Sequence, residues 1–509
     1  MESLSTKTRS FKVDLENYKV RTLDRFPNEG MLGRRKIRTP VRVITADNVI
    51  DVVNAALSHH AANAMEIDYL YRYYRGQQDI RHKQKQVRES INNKVTINRA
   101  NEIVTFKTAY LLNKPIQYIS YGGSSETSDN VNKLNEYMRA EDKESKDKEI
   151  VDWVHICGVG ERLILDDKDF GIGGDEEGSP FCLFTLDPRF AFVIYSSAIG
   201  EKPLAGVILQ EDENSKTYAD VYTDTMHYVL KDGKVMGSYP TVYNGVPLVE
   251  YVNNEPRMGA FEAVISILNN INTLESDAVD SVEDFVNGFD VFQNCDIEDG
   301  TYSSLSIGGK AVKVKTTVPG MEAKVYRVFS EINQSGVQER IDDFTESYLT
   351  ICGMPNRNGG SSTSDTGTAV IFRDGWSEAE SRAEDSEKLF VRSERQMLRV
   401  ALSICNTQED RSYHLNLKLS DIKTEFLRKN LNNAQSKAQI LTGLLNNSMV
   451  HPKLAYEAAA LFKDNEEAYR ISMEYYEKKQ AEEEARLQKE LDNARTQALR
   501  NSRQDNNQS

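Results

Sequence analysis

Apolar residues return every three or four positions along NVIDVVNAALSHHAANAMEIDYLYRYYRG (48–76), which predicts a helix with an aromatic end, closed by Gly76. INRANEIVTFKTAYLLNKP (97–115) predicts a second helix ending before Pro115, and residues 130–158 a third. The pattern then shortens to a period of two in ERLIL, FCLFTLDPRFAFVIY, LAGVILQ, TYADVYT and HYVL, separated by turns such as KDGK. That is the signature of a meander, and residues 50–250 read as one α+β domain.

Beyond Pro247 the helical period returns. Phe261, Val264, Ile265, Leu268, Ile271, Ala278, Val282 and Phe285 fall in steps of three and four across 259–288, one apolar stripe on a helix roughly 42 Å long. A β-like insert is expected over 289–329, with GGKAVKVKTTVPG and KVYRVF as candidate strands. The next helix, near 330–351, places Val337, Ile341, Phe344 and Tyr348 on one face. A loop rich in Gly, Ser and Thr, ICGMPNRNGGSSTSDTGT (351–368), leads to a helix from about Thr368 to Ser403. Phe372, Trp376, Ala379, Ala383, Phe390 and Met397 share its apolar side, while Glu378–Arg382 and Glu384–Lys388 are expected as ion pairs on its wet side. YHLNLKL (413–419) alternates like a strand. Residues 434–490 read as helical, with Pro452 placed as a first helical residue, and NSRQDNNQS as a disordered end.

Composition narrows the classes. The 509 residues are 39% hydrophobic, enough for more than one core, and 28% charged. The net charge is −15, yet residues 1–45 hold 11 Lys/Arg against 5 Asp/Glu, so that +6 there leaves −21 for the remainder. An acidic chain is not expected to grip nucleic acid tightly. The basic segment reads as a solvated terminus or as a contact for nucleic acid or an acidic partner. Cys157, Cys182, Cys295, Cys352 and Cys405 are scattered and form no CxxC pair, which fits a reducing compartment rather than a disulfide framework. No early apolar segment resembles a signal peptide, and no run is apolar enough to span a bilayer, so a soluble, intracellularly made product is expected.

The 351–368 loop fails as a phosphate cradle. A Walker loop needs a lysine against the outer phosphates, and there is none between Lys324 and Lys388. GxGxxG and HExxH are missing, and the adjacent His59 and His60 point in different directions on a helix. Cys352 reads as a buried thiol, and the pairs Asp342–Asp343 and Asp166–Asp167 as solvated charge. No cofactor, metal or catalytic constellation is expected.

Three segments carry a resemblance: YRYYRGQQDI (71–80), TAYLLNKPIQYIS (108–120) and, most specific, VPLVEYVNNEPRMGAFEAVISILNNINTLESDAVDSVEDF (246–285) with Asn253-Asn254-Glu255 before its helix. In this order the chain resembles, over about 50–480, the portal proteins of tailed double-stranded DNA bacteriophages, of the siphophage type. The resemblance implies an α+β, mainly helical subunit of a ring, usually of twelve, at one capsid vertex. It divides the chain into a basic N-terminal segment (1–45), an α+β wing (46–258), a stem helix (259–288), a clip (289–329), a second stem helix (330–351), a tunnel loop (352–367), a long helix and return strand of the wing (368–433), a helical crown (434–480) and a charged tail (481–509).

The same resemblance implies DNA in the channel, a terminase motor and head-completion or adaptor proteins at the clip, and major capsid and scaffolding proteins around it. No enzymatic activity or membrane contact is implied. Asn356, Arg357, Asn358, Gly359, Gly360, Ser361, Ser362, Thr363 and Ser364 become the channel loop, able to make weak, exchangeable hydrogen bonds. Phe261, Ile265, Leu268, Val337, Ile341 and Phe344 become stem packing positions. Two rival readings are a nucleic-acid-processing enzyme using 351–368 and a helical virion scaffold or adaptor.

Overall fold

The computed structural model describes residues 15–86, 89–121, 125–166, 178–286, 289–296, 315–317, 320–322, 324–328, 334–356, 375–426, 434–459, 461–462 and 465–505. The chain divides into two units, residues 1–426 and 427–509.

The first unit contains helices α1 (Val49–Tyr74), α2 (Arg99–Leu111), α3 (Ser125–Ala140) and α4 (Lys143–Cys157). The helix expected over 130–158 is two helices. The chain breaks after Glu141, whose carboxylate accepts from Leu183 N at 2.9 Å, and Asp142 takes the left-handed conformation at φ 48. Strands β1 (Ile37–Thr39), β5 (Ala191–Ser196), β6 (Pro203–Glu211), β7 (Thr217–Tyr222), β8 (Met226–Lys231) and β9 (Lys234–Pro240) form a six-stranded sheet in the order β1-β5-β6-β7-β8-β9. Only β1 runs parallel to its neighbour; β5 to β9 are the expected antiparallel meander. Its last turn is Asp232-Gly233, both at positive φ (51 and 66), the backbone that a right-twisted two-residue hairpin demands.

A second sheet orders β10 (Leu248–Val252), β3 (Val159–Asp166) and β4 (Phe181–Leu186). β2 (Gln117–Ser120) pairs with β15 (Ile422–Glu425). The strand expected at 413–419 therefore lies just after it. Leu415 and Leu417 do point into the core, but they belong to a non-ladder stretch between two 3-10 turns. Their alternation records one-sided burial, not pairing.

Next comes α5 (Ile265–Val286), shorter than the expected 259–288 and entered through a 3-10 turn, Glu262–Val264. β11 (Phe289–Gln293) pairs with β14 (Lys324–Val328), and β12 (Cys295–Asp296) with β13 (Lys315–Thr316). KVYRV is thus a strand as read, whereas 308–314 lies outside the described residues. α6 (Gln334–Cys352) packs back along α5, and α7 (Trp376–Thr407) returns to the second sheet. The start read at Thr368, and Phe372 with it, lies outside the described residues. On α7 Glu378 pairs with Arg382 at 2.7 Å as expected, but Lys388 reaches the nearer Asp385 (3.1 Å) in place of Glu384.

Three apolar clusters fill this unit. One joins the second sheet to α3, α4 and α7; one lies between α1, α2, α5 and α6; one backs the six-stranded sheet with the first half of α1. α7 is tied to the first cluster by four buried charges. Lys143 Nζ lies 2.6 Å from Asp147 and 3.1 Å from Glu394, and Arg162 Nη2 lies 2.7 Å from Asp147. Arg162 also approaches Glu394 at 3.7 Å, and the hydroxyls of Tyr118 and Tyr251 donate to the two Glu394 oxygens. Burial opposes charge on Glu394, but Lys143, Arg162 and the two tyrosines outweigh it and hold its carboxyl below the usual range.

The second half of α5 departs from the expected stripe. Phe261, Val264, Ile265, Leu268 and Ile271 are buried, but Val282 is 51% exposed, and the residues turned inward are Asn272, Ser276 and Asp280. These three grip the extended segment 93–97 by its backbone: Asn93 N donates to Asp280 Oδ1 (2.6 Å), Val95 N to Ser276 Oγ (3.0 Å), Ile97 N to Asn272 Oδ1 (2.8 Å). An unladdered strand leaves amides that need acceptors, and the helix supplies them. Lys83 and Lys85 close on Asp280 at 3.0 and 2.8 Å. Burial disfavours the Asp280 carboxylate, yet bonds from Lys85, Asn93 and Lys83 hold its pKa far below the ordinary value.

The second unit contains α8 (Ala434–Leu445), α9 (Pro452–Ala459), which starts on Pro452 as read, and α10 (Asn465–Asp505). A small cluster of Leu441, Ala455 and Ala459 joins α8 to α9. The disorder expected for 501–509 is contradicted over 501–505, which continue α10; 506–509 lie outside the described residues.

Replacing Asn272 by Ala should lower unfolding free energy by about 1–3 kcal/mol, because it orphans Ile97 N–H and the Gln78 Oε1 that accepts from Asn272 Nδ2 at 2.5 Å. Urea denaturation checks this. A second expectation concerns His60, stacked on Phe192 at 4.2 Å and donating to the Arg189 carbonyl at 2.9 Å. Burial lowers its pKa from 6.5 to about 4, against opposition from the Arg189 carbonyl bond and Asp187. The unfolded chain then takes up the proton first. This contribution is whole above pH 6.5 and is lost as the pH falls toward 4, by up to roughly 1.4 kcal/mol per pH unit. His60→Gln should flatten stability against pH across that window.

Candidate functional site

α5 and α6 lie against one another with the β11–β14 hairpin at one end and the 353–375 loop at the other. Phe261, Ile265, Leu268 and Ile341 are buried in one apolar cluster, and Val337 and Phe344 pack on it half-buried. Tyr348 donates toward Glu102 on α2 at 3.4 Å. The opposite face of α6 presents Glu339, Asp342, Asp343 and Glu346 to solvent, with Arg340 near Asp343 at 3.5 Å. Val279 and Val282 on α5 are also exposed, in phase with the buried stripe of that helix.

Of the nine expected loop residues, Asn356 is described; Arg357, Asn358, Gly359, Gly360, Ser361, Ser362, Thr363 and Ser364 lie outside the described residues. What the structure does fix is the loop's foot. α6 ends in a turn in which Met354 N bonds Leu349 O at 2.8 Å, and Met354 is buried. α7 begins at Gly375, in the left-handed conformation, and a Cβ there would sit 3.6 Å from Pro355 Cα. The two ends of the loop therefore meet.

Arg382 fastens them. Its Nη1 donates to Ile351 O at 2.7 Å, satisfying a carbonyl that the end of α6 leaves open, while Nε is held by Glu378 one turn earlier on α7. Its stem crosses Gly353, where φ is +64 and a Cβ would lie 2.3 Å from Arg382 Cδ. Only glycine meets both demands. The sequence reading missed Arg382 in this role and took it as half of a surface ion pair. The signal was an arginine in the second turn of a helix that follows a long loop, where it can reach back to the preceding helix end.

Behind the foot, Cys352 is buried, and its thiol is pushed up to about 11 by burial against the opposing pull of Lys107 and Arg382. It is a neutral thiol, not a nucleophile. His155 shares a hydrogen bond with Thr108 Oγ1 (3.0 Å), and burial, with Lys107 adding, lowers its pKa to about 3. Among the described residues no group of three or more His, Cys, Asp or Glu is placed to hold a metal, and no helix is long and apolar enough to cross a membrane.

The family model described as phage portal protein, SPP1 Gp6-like, matches residues 54–494, from the second turn of α1 to deep within α10. None of the curated proteins compared with the chain matches it.

Gly353→Ala should cost about 1–2 kcal/mol for the left-handed backbone alone and displace Arg382 besides. Limited proteolysis should then cut between 354 and 375 faster than in the wild type, with the rest of the fold unchanged by circular dichroism.

Proposed function

The chain belongs to the phage portal protein family, of the SPP1 Gp6-like kind, and from that membership we propose that it forms the ring-shaped channel at one capsid vertex through which double-stranded DNA is packaged and ejected. The family is structural rather than enzymatic. The observation that carries the proposal is the extent of the match. It spans the α5–α6 pair, the hairpin between them and the loop beyond. In this reading the ring has twelve copies in the virion, α5 and α6 are its stem, 289–329 its clip, 352–367 its tunnel loop and the second unit its crown. The terminase motor docks on the clip during packaging and head-completion or adaptor proteins follow it. Major capsid and scaffolding proteins surround the ring.

Two physical features support the assignment. The exposed Val279 and Val282 continue an apolar stripe that the single chain leaves uncovered, the pattern of a helix that meets a second copy. The acidic face of α6 suits a conduit, since carboxylates repel phosphates and discourage the tight grip that would stall moving DNA. The loop's glycines, serines and asparagines would touch DNA by short-lived hydrogen bonds.

Electron microscopy of the purified chain with native mass spectrometry tests the ring: closed rings with a central hole are expected, whereas dimers or open filaments would favour a scaffold or adaptor. Val282→Asp should reduce ring assembly yet leave each chain folded, because Val282 is half exposed. Leu268→Asp, at a site 1% exposed, should instead unfold the chain by several kcal/mol. Deleting 357–367 should leave rings intact and abolish DNA packaging; loss of rings in that deletion would remove the channel role from the loop.

A further inference from the structure

The face of β3 turned away from Arg162 carries a second buried acid. Glu161 stands directly opposite Glu250 in the β3–β10 ladder, a placement that sets the two side chains about 5 Å apart at Cβ. Glu250 is fully engaged. Arg257 Nη2 donates to its Oε2 at 2.7 Å, Arg257 Nε reaches its two oxygens at 3.2 and 3.3 Å, and the Tyr195 hydroxyl donates at 2.8 Å. Glu161 is 2% exposed, and its Oε2 has no hydrogen-bond partner. Among the described residues no cation pairs with it. The groups that face it are few. β10 offers Glu250, the turn after β10 offers Arg257, and β5 offers Tyr195, which is bound to Glu250. β4 sets Leu186 opposite it. Lys36 lies farther out, over the Tyr195 ring at 4.3 Å and paired with Glu201. Asp147 and Glu394, with Lys143, gather around Arg162 on the other face of the strand.

Two acids thus face one guanidinium at a buried site. A second carboxylate there would be an unmatched charge, and such a group keeps its proton instead. Burial, with Glu250 adding and Arg257 opposing, pushes the Glu161 carboxyl well above the ordinary carboxylate value. Arg257 is also a pivot of the chain. Its backbone is left-handed at φ 58, and its carbonyl accepts from Arg34 N at 3.0 Å. The turn is closely wedged: a Cβ on Gly33 would collide with Pro256 O, and one on Gly158 with Arg257 O. Just beyond, Gly259 N donates to Glu262 Oε2 at 2.8 Å, and Arg34 Nη2 donates to Glu262 Oε1 at 2.6 Å, at the entry to α5. We propose that Glu161 carries a proton in the native fold, and that losing it to solvent is a pH-sensitive release of residues 253–262, the joint between the second sheet and α5. Ionised Glu161 competes with Glu250 for Arg257 and draws that side chain from the position that holds the turn. Above the ordinary value of 4.5 the fold binds one proton more than the unfolded chain. The stability tied to that proton is whole below this pH and is lost as the pH rises toward the folded value. The inference goes beyond the channel reading and does not require a ring.

The test uses the full chain and two variants, Glu161→Gln and Glu250→Gln, checked for unchanged circular dichroism. Infrared difference spectra at neutral pH read the protonated-carboxyl stretch. The wild type should show one protonated carboxyl more than Glu161→Gln. Glu250→Gln should lose the same band, because Glu161 can then ionise against Arg257. Hydrogen–deuterium exchange of peptides covering 253–262 reads the turn, with wild type and Glu161→Gln compared at equal pH so that intrinsic exchange cancels. The two should match at about pH 6, and the wild type should exchange several-fold faster at about pH 9, where strongly shifted glutamates ionise. Equal carboxyl bands in wild type and Glu161→Gln overturn the protonated state. A band that differs while the turn exchanges alike at both pH values overturns the release. Should Glu161→Gln fail to fold, loss of the band in Glu250→Gln supports the proposal and its persistence there overturns it.

Discussion

Four buried charges hold the first unit in register: Lys143, Asp147, Arg162 and Glu394. They come from α4, β3 and α7, elements far apart in sequence, and each ion meets at least one opposite charge within 3.7 Å. The desolvation of such a set is large, so its net contribution to stability is modest. Its effect is on geometry. α7 can lie on the second sheet in only one translation and one rotation if Glu394 is to meet both cations and both tyrosine hydroxyls. Since α7 begins where the loop ends, that choice also decides where Arg382 stands relative to α6.

The loop foot is thus positioned from two directions. From one side α6 is laid along α5 by the apolar cluster of Phe261, Leu268, Ile341 and Tyr348. From the other α7 is placed by the charge cluster. Arg382 closes the remaining gap with one hydrogen bond to Ile351 O. The described ends of the loop, Asn356 and Gly375, are in this way held at a fixed place.

Much of this is legible in the sequence, and what is not has a common cause. Period-two runs and the Asp-Gly turn declare the meander, and Pro452 marks a helix start. The first half of α5 is equally plain, because Phe261, Ile265 and Leu268 are apolar and buried. In its second half Asn272, Ser276 and Asp280 look like a solvated face, yet they are inside, since their partner is backbone rather than side chain. Buried Arg162 and Glu394 go unmarked in the sequence for the same reason: a polar residue announces its type but not its partner. Lys388 illustrates the reverse, an exposed cation with two acids in reach and little to choose between them. The strand misplaced at 413–419 shows that alternation reports burial of one face, and a ladder also needs a neighbour. Of the site itself, the sequence marks the loop rich in Gly, Ser and Thr but not the arginine that anchors its ends.

The ladder on α5 has a metric property. Its helix rungs, 272, 276 and 280, are four residues apart, a rise of about 6.0 Å, while the amides they hold, 97, 95 and 93, are two residues apart, about 6.6 Å in an extended chain. The two scales run in opposite directions and nearly match, like the marks of a vernier, so three rungs fit before the mismatch exceeds an ångström or so. Because backbone rather than side chains is read, the strap tolerates exchange of Val95 or Thr96 for other residues more easily than a change in length. One inserted residue would present the alternate residues to the helix beyond the insertion and flip every side chain there to the other face. In relatives of this chain the segment should therefore vary in letters and keep its count.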